Sequence, residues 1–175
     1  MLKNINIDMK KIINPYAATG RKDYQCFGCS PNNEKGLRLR FWLDGNEVVT
    51  KWDPQKWMEG YTNVLHGGIQ ATLLDEISSW VVQTQCKTVG VTTSMEISYR
   101  KPVFISEGEI TLRASLFRTT SRIAEIEAML FGNKGQLCAS AIVKYFILPL
   151  DKAKSDYYYP GADAFFEDVD QQSEE

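Results

Sequence analysis

Apolar and polar residues alternate with a period of two in several stretches of this chain, and in one stretch they recur at helical spacing. Leu37-Arg-Leu-Arg-Phe-Trp-Leu43 sets Leu37, Leu39, Phe41 and Leu43 on one face, which predicts a half-buried strand. Asp44-Gly45 is a tight-turn signal, and Asn46 to Trp52 predicts the returning strand of a hairpin. From Gly67 to about Cys86, Ile69, Leu73, Ile77, Trp80 and Val81 form the stripe of a long helix. A second face of that helix carries Gly68, Ala71, Asp75, Ser78, Ser79 and Val82, small except for the aspartate. Four strands follow: Val89 to Lys101, Glu109 to Thr119, Arg122 to Phe131 and Gln136 to Leu148. Their short links predict antiparallel pairing. Two strands, one long helix and four strands predict an α+β layer, an antiparallel sheet of about six strands wrapped around one central helix.

The ends differ from this body. Residues 1–25 form an N-terminal extension in which Leu2, Ile5, Met9, Ile12 and Ile13 predict a short amphipathic helix stopped near Pro15. The main domain spans 26–148. Residues 149–175 are a tail, first aromatic and then acidic, in which periodicity is lost and whose end is expected to be disordered. Tyr157–Tyr159 and Phe165–Phe166 are candidates to dock onto the body or onto a neighbouring subunit.

At 175 residues and a net charge of -2, the chain is long enough for one real core and has no basic face for nucleic acid. The N-terminus lacks the apolar run of a signal peptide and no stretch reaches membrane-spanning length, so the expectation is a cytoplasmic protein without a membrane partner. The four cysteines do not build a disulfide framework. Cys26-Phe-Gly-Cys29 has motif-like spacing, but no second ligand pair follows for a zinc knuckle. A structural role is expected, with no metal and no resident cofactor.

The chemistry-bearing stretch is His66-Gly67-Gly68, where the only histidine precedes two glycines at a helix start, together with Asp75 inside the apolar run. These residues, with Asp75 nine positions after the histidine, the strand Gly90-Val-Thr-Thr-Ser-Met-Glu-Ile-Ser-Tyr-Arg-Lys-Pro102 and the order of elements, resemble hot dog fold acyl-CoA thioesterases, particularly the phenylacetate-pathway (PaaI-like) branch. Cys26-Phe-Gly-Cys29 followed by Gly36-Leu-Arg-Leu-Arg-Phe41 looks like a lead-in of some members. The resemblance spans roughly residues 26–148.

The resemblance implies hydrolysis of an acyl-CoA thioester to free acid and CoA, with coenzyme A entering only as part of the substrate. It makes the Gly67 N–H the leading donor to the carbonyl, with Gly68 beside it, and Asp75 the nucleophile or the general base that activates water. Thr92 matches the position of a hydroxyl that steadies that group, and Ser94 is expected on the same strand face. Arg118-Thr-Thr-Ser-Arg122 matches a region that contacts the nucleotide end, which makes Arg118, Ser121 and Arg122 candidates for the CoA phosphates, with Arg100 and Lys101 as further ones. Several relatives carry an asparagine six positions before the histidine, where this chain has Gly60; Asn63 is the nearest asparagine and a pocket candidate. His66 is either a residue that fixes the turn through its ring or a direct polar participant.

Simple chemistry supports the glycine end. A helix N-terminus offers free N–H groups and a favourable dipole end, and glycine leaves them unobstructed. Geometry adds a constraint: eight residues of helix separate Gly67 from Asp75 by roughly 12 Å, too far for both to reach one carbonyl. A homodimer, or a dimer of dimers, in which Gly67 of one chain faces Asp75 of the other resolves this, and the resemblance implies the same arrangement. Two other readings stand beside hydrolysis: a non-catalytic acyl-CoA-binding protein, and a hot dog hydratase or dehydratase.

Overall fold

The computed structural model describes residues 9–18 and 23–166. Its centre is a seven-stranded antiparallel sheet curled around one long helix. In chain order the elements are β1 (Lys10–Ile12), α1 (Pro15–Ala18), β2 (Phe41–Asp44), β3 (Glu47–Trp52), β4 (Glu59–Tyr61), β5 (Val64–Leu65), α2 (Gly67–Gln85), β6 (Gly90–Tyr99), β7 (Ile110–Thr119), β8 (Ile123–Phe131), β9 (Leu137–Ile147) and α3 (Leu150–Tyr157). The sheet runs β1-β2-β3-β7-β8-β9-β6, and β4 and β5 form a separate small ribbon leading into α2. This is the predicted α+β layer, with one strand more than expected.

The helix nests against the sheet because the sheet face is small where the helix lies. Ala114, Ala128 and Ala141 stand in register across β7, β8 and β9, all but fully buried. Against this row α2 sets Leu73, Leu74, Ile77, Trp80, Val81 and Val82, each 0–1 % exposed. Burying a side chain of that size is worth about 1.5–3 kcal/mol, so these helix residues together contribute substantially to stability. Packing also continues around Trp80. Phe41 stacks on Trp80 with ring centroids 4.6 Å apart, and Phe165 meets Trp80 edge-on at 5.5 Å.

The ends depart from expectation. Leu2 and Ile5 lie outside the described residues, but the later part of the predicted N-terminal helix is extended: Lys10–Ile12 pairs with β2. Edge pairing overrides helical spacing there, and Pro15 starts α1 rather than stopping a helix, as its fixed φ suits a first helical position. Strand β2 is shorter than predicted because Arg38 takes a positive φ of 53° and breaks the extended run, although Leu37 and Leu39 stay buried. Of the tail's aromatic residues, Tyr159 and Phe165 dock onto the body, while Tyr157 and Tyr158 stay exposed. Tyr159 and Phe165 are 2 % and 0 % exposed, and the Tyr159 hydroxyl donates to the Gln83 carbonyl at 2.7 Å. The acidic end, 167–175, lies outside the described residues.

Strand β6 is an outer strand, ten residues long, paired only with β9 among the described residues, with Val91 and Tyr99 about half exposed. No helix of the described residues is long and apolar enough to cross a membrane.

Candidate active site

His66 caps α2. Its Nδ1 accepts the Gly68 N–H at 2.9 Å, and its carbonyl accepts the Ile69 and Gln70 N–H groups at 3.0 and 3.1 Å. The ring therefore does what Ser or Asp does at other helix starts. Of the two readings of His66, the structure supplies the turn-fixing one. It also removes Gly68 from the donor list, since that N–H is already taken. The Gly67 N–H has no hydrogen-bond partner among the described residues and remains available. The Gly67 carbonyl is held by the Tyr99 hydroxyl at 2.9 Å. Gly67 opens onto a cleft of about 730 Å³ lined by Gly60, Tyr61, His66, Tyr99, Arg100 and Lys101 among others.

Asp75 lies two turns further along α2 and does not line that cleft. Its Oδ1 accepts the Thr92 hydroxyl at 3.0 Å and lies 2.7 Å from the Tyr145 hydroxyl. Tyr145, near the end of β9, also touches the Asp75 carbonyl at 2.7 Å. Burial first, and the Asp75 charge next, push the Tyr145 phenol above its usual range, so it stays protonated and donates. Oδ2 has no protein partner among the described residues. The carboxylate is thus anchored by one oxygen and presents the other.

Strand β6 bulges between Thr92 and Ser94, and this changes the expected faces. Thr92 pairs with Tyr145 and faces the helix; Ser94 pairs with Lys144 on the opposite face, because the extra residue flips the alternation. Thr93 occupies the bulge and donates to the Lys144 carbonyl at 3.0 Å. Ser94 is therefore not beside Asp75, a correction to the regular-strand expectation.

Asn63 is also reassigned. It sits at a positive φ of 63°, its amide donates to the Ser106 hydroxyl at 2.9 Å and its Oδ1 accepts the Ser106 N–H at 2.9 Å. Those bonds lock a turn, and Asn63 is not among the residues lining the Gly67 cleft. Arg118 pairs with Glu125 at 2.6 Å, while Ser121 and Arg122 are exposed in the β7–β8 turn. That turn lies at the Asp75 end of the sheet, since Ala124 aligns with Tyr145 and Tyr145 with Thr92. Arg100 and Lys101 flank Gly67 instead.

Sequence reasoning missed Tyr145 and Tyr99. Tyr145 reads as one more inward residue of an alternating strand; the only signal is that a buried phenol needs a partner. A second polar cluster lies one residue along the helix. Glu76 accepts the Trp80 indole N–H at 3.1 Å, and its carboxyl is raised to about 7, by burial first and then by the Cys26 charge. Hydrogen bonding from Cys29 lowers the Cys26 thiol, while the same contact followed by burial raises Cys29.

Comparison with known proteins agrees with this architecture. The thioesterase superfamily profile matches residues 62–139, a stretch running from the turn before His66 through Gly67, Asp75 and Thr92. The fold is the hot dog fold, shared with solved thioesterase structures. Solved structures share it at low identity. A thioesterase superfamily protein superposes with a TM-score of 0.60 at 22 % identity over 66 % of this chain, and the match spans only 57 % of that protein. A Haemophilus influenzae thioesterase gives a TM-score of 0.61 at 18 % identity, covering 70 % of this chain and 86 % of that one. A Bacillus halodurans protein solved with CoA gives 0.53 at 25 %, covering 57 % and 70 %. No curated protein sequence matches the chain.

Proposed function

We propose that this protein is an acyl-CoA thioesterase that works as a homodimer, with each active site built from two chains. The observation that carries the reading is the state of Asp75: Oδ1 is fixed by two hydroxyls and Oδ2 is unpartnered. A carboxylate held this way is oriented to act on something that approaches its free oxygen.

Two routes fit. Oδ2 attacks the thioester carbonyl carbon, the C–S bond breaks with loss of CoA thiolate, and water cleaves the resulting mixed anhydride to free acid. Alternatively, Oδ2 takes a proton from water as that water attacks the same carbon. In both, the carbonyl oxygen gains negative charge, and the free Gly67 N–H at the positive end of α2 is the donor suited to it. Because roughly 12 Å of helix separates the two groups, a second chain must supply one of them. The long exposed edge of β6 supports this, since its unpaired N–H and C=O groups form a template for another strand.

Arg122 and Ser121, with Arg118 after release from Glu125, are the proposed contacts to the CoA phosphates. They lie at the Asp75 end, whereas Arg100 and Lys101 border the Gly67 cleft, so a composite site brings both cationic groups to one ligand. CoA in the Bacillus halodurans structure is in keeping with this substrate class. The Cys26-to-Phe41 lead-in supports a place near the PaaI-like branch. The test is release of free thiol from a panel of acyl-CoAs by wild type and Asp75→Ala. Hydrolysis by wild type and its loss in the variant are expected; no release from any acyl-CoA would refute the hydrolase reading.

A further inference from the structure

The Cys26-Phe-Gly-Cys29 turn acquires a third polar partner that its own spacing does not reveal. Cys26 Sγ and Cys29 Sγ are 3.4 Å apart, and the two Glu76 carboxylate oxygens lie 3.7 and 3.8 Å from Cys26 Sγ. One ligand atom from each of the three residues falls within 4.8 Å of the others. A tetrahedral zinc ion with bonds of about 2.3 Å to sulfur and about 2.0–2.2 Å to oxygen requires S···S edges of about 3.8 Å and S···O edges of about 3.5 Å. The Cys26–Cys29 and Cys26–Glu76 edges fall within about 0.4 Å of those values, and the Cys29–Glu76 edge lies within 4.8 Å, so a turn of the Glu76 carboxylate toward Cys29 would close the set around a cation.

Charge gives a second reason. Glu76 is a partly buried carboxylate with no lysine or arginine paired to it among the described residues. A carboxylate in that position is ordinarily neutralised by a cation. The backbone is also shaped for this approach: a Cβ on Gly28 would overlap the Glu76 carboxylate, so glycine between the cysteines admits it. Outer contacts of the kind that orient metal ligands are in place. Trp80 donates to Glu76 Oε1 at 3.1 Å, the Tyr24 hydroxyl lies 2.9 Å from Cys29 Sγ, and Asn14 donates to the Cys29 carbonyl at 3.1 Å. A cavity of about 250 Å³ borders the cluster, with room for a water as fourth ligand.

We propose that Cys26, Cys29 and Glu76 bind one zinc ion, clamping the irregular segment before β2 onto the central helix beside Asp75. Two sulfurs and one carboxylate select zinc over magnesium or calcium. The site is structural, with its third ligand fifty residues from the knuckle-like turn.

The test uses the full chain purified from zinc-supplemented cells. Elemental analysis should find about one zinc per chain. Replacement by Co²⁺ should give the near-ultraviolet thiolate-to-metal charge-transfer band and the intense visible bands of a tetrahedral site. Cys26→Ser and Cys29→Ser should abolish that band, and Tyr24→Phe should weaken metal affinity roughly 10–100-fold. Chelator treatment of wild type should lower its thermal midpoint, which keeps the test decisive if a cysteine variant fails to fold. Asp75→Ala should bind metal as wild type does, separating this proposal from the thioesterase reading. Wild-type protein without stoichiometric zinc and without the cobalt charge-transfer band, whether its thiols are free or joined as a Cys26–Cys29 disulfide, would overturn the proposal.

Discussion

Tyr145→Phe removes one oxygen and keeps the ring that fills the core. The lost hydroxyl sits 2.7 Å from Asp75 Oδ1, in a residue only 1 % exposed. A hydrogen bond to a charged group in such a place contributes about 1.5–3 kcal/mol. Thr92 still holds Oδ1 at 3.0 Å, so the carboxylate is loosened rather than released. At about 1.4 kcal/mol per factor of ten, orientation lost on that scale lowers kcat by roughly 10- to 150-fold. KM should change little, because the phenol touches the carboxylate and not the substrate. Stability should fall by about 1–2 kcal/mol, as the Asp75 carbonyl loses a donor too. The assay is thiol release at saturating and limiting acyl-CoA, normalised to folded protein, with urea unfolding in parallel. Thr92→Val added to Tyr145→Phe should be non-additive, since both hydroxyls serve one oxygen. An unchanged kcat in Tyr145→Phe would refute the claim that Tyr145 positions Asp75.

Other expectations follow from single contacts. Phe165→Ala should destabilise the protein by about 3–5 kcal/mol in urea unfolding, because that fully buried ring packs on Trp80 and not in a loose tail. His66→Ala should lose about 0.5–2 kcal/mol as the α2 cap disappears, and His66→Asn should recover most of it; equal losses in both would argue against a capping role. In chelator-treated protein, Glu76 adds a pH dependence. Burial raises its folded-state carboxyl from 4.5 to about 7, so the folded state holds a proton that the unfolded chain releases between those values. Stability should therefore fall by on the order of 2–3 kcal/mol as pH rises from about 4.5 to about 7, then level off, and Glu76→Gln should flatten the profile.

The parts legible in sequence were those with strong periodicity. The helix from Gly67, the four strands after it and the turn at Asp44-Gly45 lie where alternation and turn chemistry place them. The N-terminal strand was illegible because three residues at a sheet edge take their conformation from β2 and not from their own spacing. The bulge at Thr93 was equally hidden: nothing in Val91-Thr92-Thr93-Ser94 marks an inserted residue, yet it decides that Thr92, and not Ser94, faces Asp75. At the site, Gly67 and Asp75 stood out because glycines and a carboxylate are odd in an apolar helix. Tyr145 did not, since its partner lies 70 residues away and only folding brings them together.

The central claim is that the Gly67 end and the Asp75 end of α2 serve different active sites of one dimer. Gly67→Pro removes the N–H while suiting a first helical position, and His66 already has the extended ψ of 135° that a following proline requires. Asp75→Ala removes the carboxylate. Each variant alone should be nearly inactive. Co-refolded in equal amounts, they should recover about a quarter of wild-type activity, because half the dimers are mixed and each mixed dimer holds one intact site. Absence of recovery in verified mixed dimers would contradict the account and place both groups of a working site within one chain.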